Sequence, residues 1–235
     1  CTSSLIPWNS QFALSELPEY DEIQRLARRC GDLIKENEMR LTFHPDYWCK
    51  PASESAETRG RARRAIEYHA EWFDLLGLPA TPYYGITVHI GAMYGDIAAT
   101  AERFQEFVDS LSGDARTHLT VENDDKESLW SVPQLVERIS DPTGVPIVFD
   151  YHHHSFTDRG YSYRGAFEMA ADTWKNVRPM THYSEPACLR DPTVRPQTHA
   201  EFVSDLPEWL RSAADVMIEA DAKERAVLQQ FDASA

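Results

Sequence analysis

The chain has 235 residues, enough to bury a full hydrophobic core in one domain of barrel size. Its formal net charge of −15 argues against broad, non-specific nucleic-acid binding, which usually depends on a basic surface. No apolar run reaches the roughly 18 residues that a membrane-spanning helix needs, and the first residues lack a secretory-signal pattern. Four cysteines without a CxxC pair predict free thiols in a reducing cytoplasm.

Short apolar runs alternate with helical patterns along the chain. A first strand is expected at SLIPW, residues 4–8. Six later strands are predicted to end at side chains of metal-ligand type: His44, His89, Glu122, Asp150, His182 and Glu219. Helices are predicted over residues 20–36 and 54–76, after an N-cap at Asp96, near 132–139, over 167–177, over 199–214 with a break at Pro207, and up to Phe231.

This alternation of strands and helices implies a parallel sheet with right-handed crossovers. We predict an α/β protein with a single (β/α)8 TIM-barrel domain over residues 1–235. Because only seven strands are found, the first β/α unit is expected to be missing or truncated at the N-terminus. The active site of such a barrel lies at the carboxyl ends of its strands, where the six side chains fall.

Histidine and carboxylate side chains without cysteine suit zinc, manganese or iron. Two more histidines fit the same end: His153, on the loop leaving the strand that ends at Asp150, and His199, at the start of a predicted helix. Eight ligands are too many for one ion, so we expect two or three divalent ions bridged by carboxylates. Such a cluster suits phosphodiester hydrolysis, because metal ions activate water and stabilise the attacking and leaving oxygens.

Not every histidine is assigned to this site. A single histidine at a strand end is more often structural, whereas the buried carboxylates of Glu122 and Asp150 need a partner. His69 is interpreted as a packing residue on the apolar face of its helix. His118 precedes its strand and so falls at the opposite end. The neighbours of His153, which are His152 and His154, are expected to line the pocket, since one of the three ligates each ion.

Seven motifs follow one another over nearly the whole chain: RLTFHP, YHAEWFDLLG, VHIGAMYGD, VENDD, VFDYHHH, THYSEP and DVMIEADAKE. They resemble the successive motifs of UV-damage endonucleases, whose superfamily includes endonuclease IV and the xylose-isomerase-like barrels. The resemblance implies a DNA-repair enzyme that nicks damaged double-stranded DNA on the 5′ side of UV photoproducts or other lesions. It also implies a cluster of divalent metals, with manganese expected first and zinc or magnesium as alternatives.

Carried over by motif, the resemblance implies eight metal ligands: His44, His89, Glu122, Asp150, His153, His182, His199 and Glu219. Four of them would also act in catalysis: Glu122, Asp150, His182 and Glu219. Tyr47 and Trp48 would contact the lesion, and Arg159 and Arg164 the DNA backbone. We expect a cytoplasmic monomer with no membrane association and no obligate protein partner.

Three departures from the family pattern stand beside these ligands. Asp46-Tyr47-Trp48 replaces a Gly-Gln-Tyr segment, so an acidic residue lies beside the aromatic pair. Met180 replaces a lysine that, in the family, can be carboxylated beside the metals, so a ligand or a metal is expected to be lost. Asp221 replaces a further lysine, which predicts weaker DNA binding.

Two other functions remain open from the residues. A sugar isomerase or epimerase of the same superfamily would hold one ion with Glu122, Asp150, His182 and Glu219, and would need no basic groove. A barrel that has lost its activity is the other. The basic cluster at Arg59, Arg61, Arg63 and Arg64 is either a solvated helix face or a phosphate contact.

Overall fold

The computed structural model describes residues 13–232, which form two compact units. The first unit contains residues 13–122 and 137–146, and the second contains residues 123–136 and 147–232. The strand expected at residues 4–8 lies outside the described residues. The missing first β/α unit and the single domain over 1–235 therefore stay predictions.

The α-helices and β-strands are, in chain order, α1 (Tyr20–Glu36), α2 (Ala56–Leu76), β1 (Ile86–Val88), α3 (Ile97–Asp109), α4 (Gly113–His118), β2 (Leu119–Glu122), α5 (Val132–Leu135), α6 (Asp141–Thr143), β3 (Ile147–Asp150), α7 (Tyr151–Thr157), α8 (Tyr163–Asp172), β4 (Met180–Tyr183), α9 (Glu208–Ala213), β5 (Asp215–Ile218) and α10 (Glu224–Asp232). A π-helical turn (Val136–Ser140) follows α5. None of the described helices is both long and apolar enough to cross a membrane.

Helix boundaries in the first unit follow local capping chemistry. The side chain of Ser55 accepts a hydrogen bond from Thr58 N at 3.2 Å and starts α2. Gly77, at φ 70°, ends that helix in the left-handed conformation that glycine adopts without strain. The side chain of Asp96 accepts from Ala99 N at 3.0 Å and starts α3, so the predicted cap is confirmed.

The strands of each unit pair in parallel. In the first unit β1 pairs with β2, with Val88 opposite Val121. In the second unit β4 lies between β3 and β5, with Asp150 opposite His182. Every residue of β1, β2, β3 and β4 is buried, as their apolar sequences predict. The α/β fold with parallel strands is thus confirmed, while the closed eight-stranded barrel stays a prediction.

Predicted elements differ from the structure in several places. The predicted strand RLTFH is reduced to bridge positions at Phe43 and His44, of which Phe43 pairs in parallel with Ile86. The following residue is Pro45, which has no N–H to extend a ladder. The helix predicted over 167–177 is displaced toward the N-terminus, as α8. The helix predicted over 199–214 is wrong in its first part, and only α9 after Pro207 is helical.

Candidate metal centre

The first unit brings three predicted ligands together at the carboxyl ends of its strands. His44 follows the bridge at Phe43, His89 follows β1, and Glu122 ends β2. The Nε2 atoms of His44 and His89 lie 3.1 and 3.7 Å from the same oxygen, Oε2 of Glu122. One ligand atom from each of the three lies within 4.8 Å of the others. Two nitrogens and one oxygen at this spacing fit a first-row divalent ion.

The backbone fixes which nitrogen His44 offers. Its Nδ1 lies 3.1 Å from the carbonyl oxygen of Pro45, which only accepts, so Nδ1 carries the proton. Nε2 is the nitrogen left to face the buried carboxylate of Glu122, at 3.1 Å from Oε2. The side chain of Glu122 is 1% exposed, whereas those of His44 and His89 are 36% and 31% exposed. The imidazoles therefore lie between a buried carboxylate and solvent.

The second unit brings five predicted ligands to the carboxyl ends of β3, β4 and β5. Asp150 and His182 are register partners on neighbouring strands, and both are buried. Glu219 follows β5, and its Oε1 lies 3.3 Å from Nδ1 of His182. These three side chains bring two carboxylates and an imidazole to adjacent strand ends.

His153 reaches this set from a helix. The prediction of a loop after β3 is wrong, because α7 starts directly at Tyr151. Oδ1 of Asp150 accepts a hydrogen bond from His153 N at 2.7 Å and caps that helix. The other oxygen, Oδ2, lies 3.8 Å from Nδ1 of His153. One carboxylate therefore both starts the helix and faces the imidazole that the helix carries.

His199 reaches the same set from an extended segment, so its predicted position at the start of a helix is wrong. It forms an antiparallel bridge with Pro186, and the flanking Ala187 N donates to Thr198 O at 2.7 Å. Nδ1 of His199 lies 3.0 Å from the carbonyl oxygen of Glu219. The His199 ring centroid is 6.2 Å from that of His153.

His153 and His199 share one tautomer, since each has Nδ1 near a backbone carbonyl oxygen. The acceptor is Asn123 O for His153, at 3.0 Å, and Glu219 O for His199. A carbonyl oxygen only accepts, so each Nδ1 carries the proton and each Nε2 keeps the lone pair that binds metals.

Asn123 is a residue of this site that the sequence did not single out. Its Nδ2 donates to Asp150 O at 3.0 Å, and its Oδ1 accepts from Asp150 N at 2.8 Å. It is fully buried. Its place directly after the strand-end Glu122 was the available signal, because a buried amide needs partners on both of its atoms.

Two of the remaining histidines, His69 and His118, have the structural positions that the sequence predicts. His69 is buried with Nδ1 2.6 Å from Ala65 O, and burial lowers its pKa to about 4. His118 is buried at the amino end of β2, with Nδ1 2.6 Å from Tyr84 O. His152 lies with its ring centroid 5.6 Å from that of His199, whereas His154 points to Tyr161 O.

The residues predicted to contact DNA lie at several surfaces. Tyr47 and Trp48 occupy a turn closed by Cys49 N donating to Asp46 O, and they are 90% and 36% exposed. Arg159 donates to the carbonyl oxygen of Glu127. On α8, Arg164 pairs with the carboxylate of Glu168 at 2.9 Å.

Met180, which stands where the resemblance has lysine, is a packing residue. It is 2% exposed and lies in an apolar cluster with Val148 and Trp174. Val177 packs against the same cluster. The structure therefore shows an apolar environment for the side chain at this position.

Parallel strands whose carboxyl ends carry histidine and carboxylate donors define an α/β protein with a candidate metal centre. The UV-endonuclease UvdE family model matches residues 1–234, and the chain belongs to this family. The family resemblance drawn from the motifs is thus confirmed.

Similar proteins are found among curated sequences and solved structures. A UV DNA damage endonuclease of Bacillus cereus (strain B4264) is 29% identical over 244 residues, which cover 98% of this chain and 73% of the relative. A UV-damage endonuclease of Neurospora crassa is 34% identical over 215 residues, 85% of this chain but 32% of that larger protein.

Among solved structures, SacUVDE is similar, with a TM-score of 0.78 and 29% identity over 93% of this chain and 77% of the other. Endonuclease IV from Thermus thermophilus has a TM-score of 0.60 over 92% of this chain and 81% of its own. Its 15% identity makes this a likeness of fold alone.

Proposed function

We propose that this protein is a metal-dependent DNA-repair endonuclease that hydrolyses a phosphodiester on the 5′ side of a UV photoproduct or similar lesion. Family membership supports the endonuclease activity. The observation that carries the metal dependence is the convergence of His44, His89 and Glu122 on one point. We infer a cytoplasmic monomer, and the free thiols of Cys30, Cys49 and Cys188 agree with a reducing compartment.

Each unit offers its own donors for a divalent ion. His44, His89 and Glu122 would hold one ion in the first unit. The second unit would hold one or two more through five side chains: Asp150, His153, His182, His199 and Glu219. Manganese is the expected metal, with zinc or magnesium as alternatives, because mixed nitrogen and oxygen ligands accept several of these ions. When bound, such ions supply an activated water and stabilise charge on the phosphate oxygens.

The chain's own groups prepare this chemistry before any ion binds. Backbone carbonyls hold three imidazoles in the tautomer that offers Nε2: His44, His153 and His199. The buried carboxylates of Glu122 and Asp150 need a compensating charge, which a divalent ion supplies. We propose catalytic roles for the strand-end residues Glu122, Asp150, His182 and Glu219.

The substrate would be damaged double-stranded DNA. We propose that the exposed rings of Tyr47 and Trp48 stack on the damaged nucleotides, since an aromatic face binds an unstacked base. Arg159 and Arg164 would contact the DNA backbone. Arg164 is the weaker candidate because Glu168 shares its guanidinium.

A one-ion sugar isomerase is the weaker candidate. D-psicose 3-epimerase from Clostridium cellulolyticum has a TM-score of 0.57 at 15% identity, which is a likeness of fold alone. Such an enzyme would also not need His153 and His199 beside the other donors of the second unit.

The experiment is nicking of a duplex that carries one defined photoproduct. The purified protein is stripped with EDTA and then assayed with and without Mn²⁺, and the cut is mapped against the lesion. We expect Mn²⁺-dependent cleavage on the 5′ side of the lesion and little cleavage of the undamaged duplex. Cleavage that persists without added metal would contradict the metal dependence.

A matched pair of variants assigns the activity to the site. Glu122→Gln removes one buried ligand charge, and we expect it to abolish Mn²⁺-dependent nicking. Glu102→Gln makes the same change at an exposed position of α3 and should leave nicking unchanged. Equal activity of the two variants would remove Glu122 from the site.

A further inference from the structure

The arginines near the start of α2 line a cavity that the metal donors do not use. Arg59 and Arg63 of α2 and Arg103 of α3 surround about 250 Å³, with Glu106 as the one carboxylate in the lining. Three guanidinium groups line the cavity with one carboxylate, and a second carboxylate, Glu67, pairs with Arg63 at 4.0 Å from outside the lining, which still leaves a local excess of positive charge in a chain whose net charge is −15. Like charges gathered this way repel one another unless an anion joins them.

Two other cavities among the described residues lack this excess. A cavity of about 960 Å³ in the first unit is lined by more carboxylates than arginines, including Glu67, Glu71 and Asp74. A cavity of about 730 Å³ in the second unit balances Lys126 and Arg159 with two carboxylates. Of the three cavities, the smallest is the one with the charge to attract an anion.

Two of the three arginines are already held in place. Nη1 of Arg59 donates to Ser53 O at 2.6 Å and to Glu54 O at 3.0 Å. Nε of Arg103 donates to Ala52 O at 3.1 Å. A guanidinium has five N–H donors, so each keeps others to offer a ligand. Because these side chains are already ordered, less conformational entropy is lost when an anion binds.

The same hydrogen bonds tie the cavity to the aromatic turn. The carbonyls that hold Arg59 and Arg103 belong to residues 52–54, which follow Trp48 by four to six residues. Four residues span at most about 14 Å. One DNA strand carries a phosphate about every 3.4 Å along the helix axis. A phosphate bound by these arginines would thus lie within a few nucleotides of the bases that meet the aromatic turn.

We propose that Arg59, Arg63 and Arg103 form a binding site for one phosphodiester of the DNA backbone. Guanidinium groups bind phosphate oxygens in pairs of hydrogen bonds, which fixes position as well as adding affinity. The site would set the register of the strand while Tyr47 and Trp48 contact the damage. This inference rests on the proposed function, because it takes DNA as the ligand.

Arg63→Gln is the variant that tests the site, and Arg61→Gln is its matched control. Arg63 is exposed and its carboxylate partner, Glu67, lies 4.0 Å away, so Arg63→Gln should leave the fold intact. Arg61 is also exposed on α2, and it pairs with Glu57 at 3.8 Å without lining the cavity. Arg61→Gln removes the same charge from the same helix.

The test is fluorescence anisotropy of a labelled duplex in EDTA, titrated over a range of NaCl concentrations. Losing one phosphate contact should lower the slope of log affinity against log salt by about 0.9 in Arg63→Gln. Arg61→Gln should keep the slope of the parent chain. Equal slopes in the two variants, or no duplex binding by the parent chain, would overturn the proposal.

A second measurement distinguishes a site for the phosphates of DNA from a site for free inorganic phosphate. Inorganic phosphate, compared with chloride at equal ionic strength, should displace duplex from the parent chain more strongly than from Arg63→Gln. Thermal stabilisation by phosphate without any effect of Arg63→Gln on duplex binding would assign the site to the free ion and contradict the proposal.

Nicking assays on the same preparations distinguish this site from the proposed function. An Arg63-dependent salt slope without nicking would support the phosphate site and remove the endonuclease function. Nicking by a chain whose salt slope does not depend on Arg63 would support the endonuclease function and remove the phosphate site.

Discussion

Asn123 and Asp150 are joined by two hydrogen bonds that run in opposite directions between the amide of Asn123 and the backbone of Asp150. The donor atoms are Nδ2 of Asn123 and N of Asp150, at 3.0 and 2.8 Å. The backbone carbonyl of the same asparagine also accepts a hydrogen bond from Nδ1 of His153. One buried residue therefore positions a carboxylate and an imidazole of the candidate metal centre.

Asn123→Ala should weaken Mn²⁺ binding roughly 10- to 100-fold, the range seen when partners of metal ligands are lost. Asn123→Asp should also weaken it, because a carboxylate cannot donate to Asp150 O. Metal titration in competition with a chelator measures both. Parent affinity in both variants would show that the pair of hydrogen bonds does not position the ligands.

Met180→Lys tests the apolar environment at the position where the family resemblance has lysine. Placing an ammonium group against Val148 and Trp174 should lower the free energy of unfolding by about 3 kcal/mol or more. The control Met180→Leu should cost less than about 1.5 kcal/mol. Urea denaturation gives both values. Parent stability in Met180→Lys would mean that the side chain reaches polar surroundings.

The folded chain should lose stability in acid because the buried imidazole of His69 resists protonation. Burial lowers the pKa of His69 to about 4, below the ordinary value of 6.5. The unfolded chain then takes up the proton first, so stability is fully present above pH 6.5 and is lost as the pH falls toward 4. This group contributes on the order of 3 kcal/mol over that window. Urea midpoints between about pH 7.5 and 4.5 should change less in His69→Leu than in the parent, and equal changes would contradict this origin.

The cysteines should differ in reactivity. Cys49 is buried, and its burial raises the pKa of the thiol to about 12. Cys30 is exposed on α1. Iodoacetamide at about pH 8 should alkylate Cys30 in the native protein well before Cys49, because the thiolate is the reactive form. Peptide mass spectrometry over time gives the two rates, and equal rates would contradict the burial of Cys49.

The strand ends were predictable because the information is local. An apolar run followed by Glu122 or Asp150 fixes both the strand and its last side chain. The helix that carries His153 was also within reach, because Asp150 is an N-cap residue three positions earlier. An aspartate at this position matches both a metal ligand at a strand end and a helix N-cap, and in the structure Asp150 caps α7.

The position of His199 was not predictable in the same way. Its segment pairs with residues 185–187, more than ten positions earlier, and this pairing overrides the local helical pattern. The contact of Asn123 with Asp150 likewise joins residues 27 positions apart. Sequence patterns predict which side chains stand at strand ends, whereas the contacts that orient them depend on the folded chain.

If both units hold divalent metal, the number of ions bound per chain shows it. The protein is loaded with Mn²⁺, freed of excess metal and analysed by inductively coupled plasma mass spectrometry beside Glu122→Gln and Asp150→Asn. We predict two or three ions per chain in the parent and at least one fewer in each variant. A single ion per chain in the parent, or a count that neither variant changes, would show that the two units do not both bind metal through these side chains.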